Sequence, residues 1–376
     1  MSNVCILKCD TYDQHQVDKT ISELFERFGG IGAFVKPGCK VLLKPNLIAK
    51  KLPETMAVTH PAVVRAVAKL ALDAGGVVTI ADSPGGIYKE NYLNKIYEAA
   101  GLKKLAEEMP VRLNYDTGYQ DITADINGKK RKFSIINPVI ENDIIINLPK
   151  LKTHVMANYT GAVKNLFGTV PGLTKAEYHY KYPKKEEFFS MITDLCAYIK
   201  PMFSVMDGIC MMEGDGPSNG TPKKADLLIG SPDPFALDEI ALQLIGFHRE
   251  EVLTAKIAWE SGYTTQEEIV MLGQSLKESV VPDVKKPNIQ STTFEKRIPG
   301  FLNRRINAFL NPAPKIIQER CILCGNCTTI CPAKVLKKQS GRIVLMDHKK
   351  CIKCYCCHEM CPKDAIYIRK LPKFLR

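Results

Sequence analysis

"DIIINLPKLKTH", residues 143–154, opens with a run of three isoleucines and ends in two lysines and a histidine. An apolar run without polar alternation is typical of a strand buried on both faces, as in a parallel sheet covered by helices. Lys150, Lys152 and His154 follow this strand within a few residues. So much positive charge and hydrogen-bonding capacity at the end of a buried strand predicts that an anionic ligand binds there.

The chain on both sides of this stretch alternates short β-rich runs with amphipathic helices. Further strands are predicted at VCILKC, CKVLLK, VVTIAD, MFSVMD and DLLIGS, and a hairpin is predicted to turn at Asn127–Gly128. Helices are predicted at residues 17–28, 60–76, 90–100, 186–199 and 234–247. This alternation predicts an α/β body, residues 1–281, with a mainly parallel sheet and flanking helices.

Polar motifs follow five of the predicted strands. In chain order they are KPNL (residues 44–47), DSPGG (82–86), NLPKLKTH (147–154), DGICMMEGDGP (207–217) and GSPDPFALD (230–238). Ordinary turns also favour Gly, Pro, Asn and Asp, so a single motif of this kind would indicate little. Because ligands of open α/β sheets bind outside the carboxyl ends of the strands, five such motifs predict one shared site.

The residue types in these motifs predict what the site binds. The residues expected to hold an organic or phosphorylated anion are Lys44, Asn46, Ser83, Asn147, Lys150, Lys152, Lys164, Asn165, Glu213 and Asp215. Proton transfer is assigned to His154, Asp82 and Asp207, the residue types that serve in acid–base catalysis. As loop residues at the edge of a crevice, Lys44 and Lys152 are expected to contribute little core burial. Each lysine has an alternative interpretation as a solvated loop charge. A flavin or a divalent metal ion in the body is left open, although no dinucleotide fingerprint or Walker A motif is present.

The C-terminal part of the chain carries two copies of one cysteine pattern. CILCGNCTTICP starts at Cys321, CIKCYCCHEMCP starts at Cys351, and both match the CxxCxxCxxxCP spacing of bacterial ferredoxins. In such ferredoxins the fourth cysteine of each motif ligates the other cluster, which predicts two [4Fe–4S] clusters. The predicted ligand sets are Cys321, Cys324, Cys327 and Cys361, and Cys351, Cys354, Cys357 and Cys331. Cys356 breaks the spacing, and structural zinc or disulfides fit the doubled motif poorly.

Charge and hydropathy narrow the class of protein. Hydrophobic residues make up 45% and charged residues 24% of the chain, which is typical of folded globular domains. The net charge is +12, and residues 315–376 hold 14 Lys and Arg against 4 Asp and Glu. This local excess balances cluster charge in part and predicts an acidic electron-transfer partner, a ferredoxin or flavodoxin, rather than nucleic acid. Without a transmembrane run of about 18 apolar residues or a secretory signal, a cytoplasmic protein is expected.

Residues 282–314 read as a basic, proline-rich linker between the body and a small α+β ferredoxin domain, residues 315–376. Within the linker, IPGFLNRRINAFL (residues 298–310) has the spacing of an amphipathic helix. That helix is predicted to pack the ferredoxin domain against the body, with a membrane surface or a partner as the alternatives. The composition of the linker also predicts that the body folds without the ferredoxin domain.

The polar motifs, together with THP, VKNLFG and both cysteine motifs, resemble an uncharacterised iron–sulfur family, domain of unknown function 362. The resemblance covers about residues 40–273 and 321–362. It implies an α/β body followed by a C-terminal ferredoxin module. The body is also similar to the N-terminal domain of the nickel-pincer lactate racemase, which bears on the fold alone.

The leading hypothesis is an anaerobic iron–sulfur oxidoreductase that relays low-potential electrons through two clusters to a small anionic substrate or cofactor in the body. One alternative is a non-catalytic electron carrier or a docking subunit of a larger redox complex. Another is a ligand-binding body in which the clusters act as a sensor or a structural element. Five polar motifs in one crevice favour the enzyme, because a carrier has no use for them. A homodimer is left open.

Overall fold

The computed structural model describes residues 2–264, 269–287 and 313–368. The strands are β1 (Ser2–Lys8), β2 (Lys40–Pro45), β3 (Val77–Ile80), β4 (Arg112–Leu113), β5 (Tyr119–Ile126), β6 (Lys129–Ile136), β7 (Ile144–Leu148), β8 (Lys150–His154), β9 (Asn158–Thr160), β10 (Phe203–Glu213), β11 (Thr221–Ser231), β12 (Ile269–Gly273), β13 (Lys315–Ile316), β14 (Leu336–Gln339), β15 (Arg342–Leu345) and β16 (Ile366–Tyr367). The predicted linker helix at residues 298–310 lies outside the described residues, as does most of the linker.

The α-helices in these ranges flank the strands. They are α1 (Gln14–Glu26), α2 (Pro61–Asp73), α3 (Glu90–Ala99), α4 (Leu102–Glu108), α5 (Asn137–Glu141), α6 (Ala162–Asn165), α7 (Thr174–Lys181), α8 (Lys185–Ile199), α9 (Pro234–Leu244), α10 (Leu253–Glu260), α11 (Asn326–Ile330) and α12 (Cys356–Glu359). Pro61 and Pro234 each occupy the first turn of a helix, where a missing N–H costs nothing.

One large sheet organises the body in the strand order β12-β1-β11-β10-β7-β2-β3-β4, and β8 and β9 continue from β10. The strands β10, β7, β2, β3 and β4 are parallel neighbours. Helices cover both faces of this parallel part, because Leu43 and Ile146 pack in a core with α1 and α2, whereas Leu42 and Ile145 pack in a core with α8. The predicted α/β fold with a mainly parallel sheet is therefore confirmed.

The register of the central strands aligns three of the predicted polar motifs. Lys44 of β2 pairs with Asn147 of β7, and Leu43 pairs with Ile80 of β3. KPNL, DSPGG and NLPKLKTH therefore leave the sheet at the same edge, as parallel strands require.

The other two motifs differ from the prediction. DGICMMEGDGP is not a loop from its start, because β10 continues as a strand to Glu213 and pairs with β11 and β8. β11 is antiparallel to β10, so the motif GSPDPFALD leaves the sheet at the opposite edge. β10 is parallel to β7, so DGICMMEGDGP still ends at the same edge as the three aligned motifs. Hydrophobic runs do not indicate strand direction, and for this reason the sequence predicted five motifs at one edge where the structure has four.

The C-terminal module is a small unit of two strand pairs, β13–β16 and β14–β15, with α11 and α12 packed together. Its helices also pack on the body. Ile330 and Met360 join Ala49 and Ala176 of the body in one apolar cluster. Tyr355 is 1% exposed and belongs to the core beneath α8. These contacts bring the module to the strand edge at which the polar motifs meet.

Candidate functional site

A cavity of about 100 Å³ lies at this edge, between the body and the module. Its polar and charged lining is Lys44, Asn46, Asp82, Ser83, Lys152, His154, Thr160, Lys164, Asn165, Lys175, His179, Cys356 and Glu359. Since a single water needs about 10–15 Å³ on this scale, the space suits a small molecule. Eight of the predicted site residues are among the lining residues.

A buried ion pair forms one wall of the cavity. Nζ of Lys44 lies 2.6 Å from Oδ1 of Asp82, and the Lys44 side chain is 0% exposed. The other carboxylate oxygen of Asp82 accepts a hydrogen bond from the Leu47 N–H at 2.9 Å. Burial lowers the pKa of Lys44, and the charge of Asp82 acts against that shift. Both members of the ion pair are therefore fixed by buried hydrogen bonds, and Lys44 is not a solvated loop charge.

Asparagine side chains connect this ion pair to the neighbouring strand. Oδ1 of Asn165 accepts from Asn46 at 2.9 Å and from Lys44 at 3.4 Å, while its amide donates to Asn147 at 2.8 Å. Asn147 lies behind this network rather than on the cavity wall, since its own amide donates to Ala162 and Ser204. Its role is to position Asn165.

Lys175 of α7 is a cavity residue that the sequence analysis missed. Its ammonium donates to the carbonyl and hydroxyl oxygens of Ser83 and to the carbonyl of Val170. Burial lowers the pKa of Lys175 to about 7, so its charge changes near neutral pH. No sequence signal marks it, because α7 is a polar helix remote from any strand end.

Lys152 and His154 lie on β8, facing the module. Lys152 donates to Oδ1 of Asn46 at 2.6 Å and to the carbonyl of Ala57 at 2.8 Å. Burial and the neighbouring charge of Lys164 lower the pKa of Lys152 well below its usual range. Nδ1 of His154 accepts hydrogen bonds from the N–H groups of Met156 and Ala157, at 3.0 and 3.3 Å.

This hydrogen bonding determines the tautomer of His154. Because Nδ1 accepts two backbone N–H groups, the ring proton of the neutral imidazole must lie on Nε2. Burial, together with Lys164 and Lys152, lowers the pKa of His154 well below its usual range, so the ring is neutral. Nε2 is 3.3 Å from Oε1 of Glu359 without hydrogen-bond geometry. His154 thus presents an N–H donor to the cavity and cannot act there as a base.

Several predicted residues lie outside the cavity lining. Lys150 pairs with Asp207 at 2.8 Å and donates to the Tyr12 hydroxyl, and Asp207 also accepts from Tyr12 and from the backbone of His60. The side chains of Lys150 and Asp207 are both 0% exposed. Asp207 is therefore engaged in an ion pair outside the cavity, and its predicted role in proton transfer there finds no support. Glu213 binds Lys285 through the backbone N–H and the ammonium. Asp215, in the turn after β10, is likewise absent from the lining.

The cysteine motifs surround two further cavities of about 20 Å³ each. Cys321, Cys324, Cys327 and Cys361 line one, and Cys351, Cys354, Cys357 and Cys331 line the other. The N–H of Ala365 donates to Sγ of Cys361 at 3.2 Å. The donor sets match the predicted cluster ligands, with one cysteine exchanged between the motifs. Cys356 lines the larger cavity at the body instead, beside Glu359 and Met360.

The divalent metal ion that the sequence left open for the body finds no support in the structure. Among the described residues, no three His, Cys, Asp or Glu side chains are grouped so that they could hold a single metal ion. Within the same ranges, no helix combines the length and the apolarity needed to cross a membrane.

Comparisons with known proteins agree with the two-part architecture. A 4Fe-4S dicluster domain matches residues 313–362. A ferredoxin from Methanothermococcus thermolithotrophicus is 32% identical over 47 residues, 12% of this chain and 78% of its own. The C-terminal ferredoxin-like domain supports iron–sulfur electron transfer.

Further matches cover the body. The thylakoid-associated protein sll1697 of Synechocystis sp. is 33% identical over 291 residues, 77% of this chain and 89% of that protein. The lactate racemase apoprotein from Thermoanaerobacterium thermosaccharolyticum aligns with a TM-score of 0.39 and 12% identity, over 62% of this chain and 54% of the racemase. The family described as Domain of unknown function (DUF362) matches residues 41–243, and this chain belongs to that family.

Proposed function

We propose that the protein is an iron–sulfur oxidoreductase that passes low-potential electrons to a small anionic ligand in the cavity between body and module. The observation that carries this proposal is the position of α12. This helix contains Cys357, which lines a cysteine cavity, and also Cys356 and Glu359, which line the cavity at the body. One cysteine cavity and the ligand cavity therefore share a short helix, α12.

The eight cysteines that line the two small cavities would hold two [4Fe–4S] clusters, which supply single electrons when bound. The sets are those predicted from the motif spacing, with Cys331 and Cys361 exchanged between the motifs. This assignment is supported by the separate lining of each cavity by four cysteines.

The body residues have distinct proposed roles. Lys152 and Lys164 attract the anion, and His154 donates a hydrogen bond to it from Nε2. Lys44, Asp82 and Asn165 form a satisfied network that keeps this wall of the cavity rigid. Such preorganised donors stabilise negative charge without reorganising during a reaction.

The electron donor is proposed to be an acidic electron-transfer protein. The β14–β15 hairpin and the loop after it expose Lys337, Lys338, Arg342, Lys349 and Lys350. An exposed basic surface of this kind speeds encounter with an acidic partner and loses that advantage as the salt concentration rises.

The test begins with anaerobically purified protein whose bound small molecules are extracted and identified by mass spectrometry. Dithionite-reduced protein is then mixed with the identified anion, and the reoxidation of the clusters is followed by absorbance. The anion is expected to accelerate reoxidation in wild type, and the acceleration should be lost in Lys164→Met. If the anion binds but leaves the reoxidation rate unchanged, the body binds a ligand without receiving electrons and the proposal fails.

A further inference from the structure

The polar residues of the cavity divide into a group with hydrogen-bond partners and a group without them. Lys44 and Lys175 have oxygen partners for their ammonium protons. On the module side, in contrast, Nε2 of His154 and Oγ1 of Thr160 are buried without a hydrogen-bond partner among the described residues, and Oε1 of Glu359 lies 3.3 Å from that Nε2 without hydrogen-bond geometry. His154 is 1% exposed and Thr160 is 3% exposed, so water does not satisfy them freely. Buried polar atoms without partners are costly, and a bound ligand can supply the missing partner.

Two ammonium groups lie beside these unpartnered atoms. Lys164 makes no hydrogen bond or ion pair within the described ranges. Burial lowers the pKa of Lys164, and the charge of Glu359 acts against that shift. Lys152 donates two protons, to Asn46 and Ala57, and the charge of a bound anion favours its ammonium form, which has a third. The module side of the cavity therefore offers an imidazole N–H, a hydroxyl and free ammonium protons in one place. This is a donor set for a single oxyanion group.

The remainder of the cavity has the opposite character. Its apolar lining includes Ile48, Met156, Phe167, Phe188, Ile330 and Met360. Phe167 and Phe188 pack edge to face with ring centroids 5.5 Å apart. The ring of His179 stacks on Phe188 at 4.0 Å, and burial lowers the pKa of His179 to about 3, so it packs there as an uncharged ring. These groups offer apolar contact and give no further anchor to an anion.

We infer that the ligand is a small carboxylate with a short apolar substituent, whose carboxylate is bound by Lys164, Lys152, His154 and Thr160. The inference rests on the proposed function for the site and deepens it by naming the ligand class. Inorganic phosphate and sulfate would satisfy the donors but leave the apolar lining unfilled. The cavity of about 100 Å³ has room for a short substituent beside the carboxylate.

In this arrangement His154 is a hydrogen-bond donor and not a base. Replacement by glutamine keeps an N–H donor on a side chain of similar reach, whereas replacement by leucine keeps the bulk and removes the donor. A role as general base would be lost in both variants. The pair His154→Gln and His154→Leu therefore distinguishes the two roles.

The experiment measures binding to the oxidised holoprotein by calorimetry and thermal melting, using formate, acetate, propionate, butyrate, phosphate and sulfate as probes. Affinity is expected to rise about fourfold with each added methylene until the cavity is full, as burial of a methylene predicts. His154→Gln should bind nearly as well as wild type, while His154→Leu and Lys164→Met should each bind at least tenfold more weakly. Iron content and melting temperature establish that each variant is folded.

Lys95→Met is the matched control. Lys95 lines a neighbouring groove of about 280 Å³ between α3 and α11, outside the cavity, so this variant should bind as wild type does. Phosphate or sulfate binding as tightly as the best carboxylate would overturn the inference. So would carboxylate binding that survives both His154→Leu and Lys164→Met, or that is lost in Lys95→Met alone. If the carboxylates bind as expected but the anion extracted from the protein does not reoxidise the reduced clusters, the inference stands and the proposed function fails.

Discussion

Lys44 and Lys152 are both at most 1% exposed, although the sequence placed them in loops at the edge of a crevice. Each lies on a strand, β2 or β8, that continues past the point at which its apolar pattern ends. The sequence placed the right residue types together, because the ends of parallel strands meet at one edge. It could not show their burial, since the segments that cover them are distant in the chain. The expectation that these lysines contribute little to the core is wrong.

Asp82→Asn is expected to destabilise the protein by about 3–5 kcal/mol, because it leaves the Lys44 ammonium buried without its counter-ion. The matched control is Glu23→Gln, which removes the acid of an ion pair with Arg27 whose side chains are about half exposed. Such surface pairs contribute little, so the control should leave stability close to that of wild type. Urea denaturation of the anaerobic holoprotein measures both. Similar midpoints for the two variants would contradict the buried-pair argument.

The pH dependence of stability should reveal Lys175. Its pKa is about 7 in the folded chain, against 10.5 for an ordinary lysine. Between these two pKa values the unfolded chain binds more protons at Lys175 than the folded chain does. The contribution of Lys175 to the free energy of unfolding therefore increases as the pH rises from about 7, with a limiting slope of about 1.4 kcal/mol per pH unit. The free energy of unfolding of wild type, relative to Lys175→Met, should therefore increase between pH 7 and pH 9.

The control for this measurement is Lys69→Met. Lys69 is exposed and forms an ion pair with Asp73, and that carboxylate raises its pKa, so it keeps its proton throughout this range. Its difference from wild type should be flat between pH 7 and pH 9. A flat difference for Lys175→Met as well would show that the Lys175 ammonium is not destabilised by burial.

At the scale of elements, the sequence located most strands and helices but not the direction of every strand. The hairpin at Asn127–Gly128 was predictable because both residues adopt positive φ, as an Asn-Gly turn requires. The reversal at β11 was not, because its apolar run DLLIGS would look the same in a parallel strand. The role of α12 in the cavity could not be predicted from the sequence. Glu359 and Cys356 lie between cluster ligands in the cysteine motif, and nothing in the spacing distinguishes them as cavity residues.

The two adjacent cysteines of α12 are expected to behave differently on substitution. Cys356→Ser should retain about eight iron atoms per chain, as two four-iron clusters require, because its side chain faces the cavity at the body. Cys357→Ser should lose or convert one cluster, since Cys357 lines a cysteine cavity with Cys351 and Cys354. Iron analysis and electron paramagnetic resonance of the reduced proteins measure this difference. Loss of iron in the Cys356 variant and its retention in the Cys357 variant would refute the assignment.

At the scale of the whole molecule, the proline-rich linker suggested separable parts, whereas the described residues form a shared interior. Ser218 of the body donates to the Glu359 carbonyl at 3.2 Å, and Lys51 lies 3.7 Å from Asp364. The apolar contacts of Tyr355 and Met360 add to these bonds. Linker composition describes only the covalent connection, so packing between segments remote in sequence could not be predicted from it.

A chain ending at residue 287 tests this shared interior. It should retain the sheet but expose the surfaces of α8 and Ala176 that Tyr355 and Met360 cover, at about 1.5–3 kcal/mol for each large apolar side chain that loses its burial. We therefore expect a lower melting temperature, binding of a hydrophobic dye, and no carboxylate binding, because Glu359 and Cys356 no longer close the cavity. The control is the full chain stripped of iron by a chelator, which separates loss of the clusters from loss of packing. If the shortened chain melts at the same temperature as the holoprotein and binds no dye, the body is an independent domain and the interface contributes nothing to its stability.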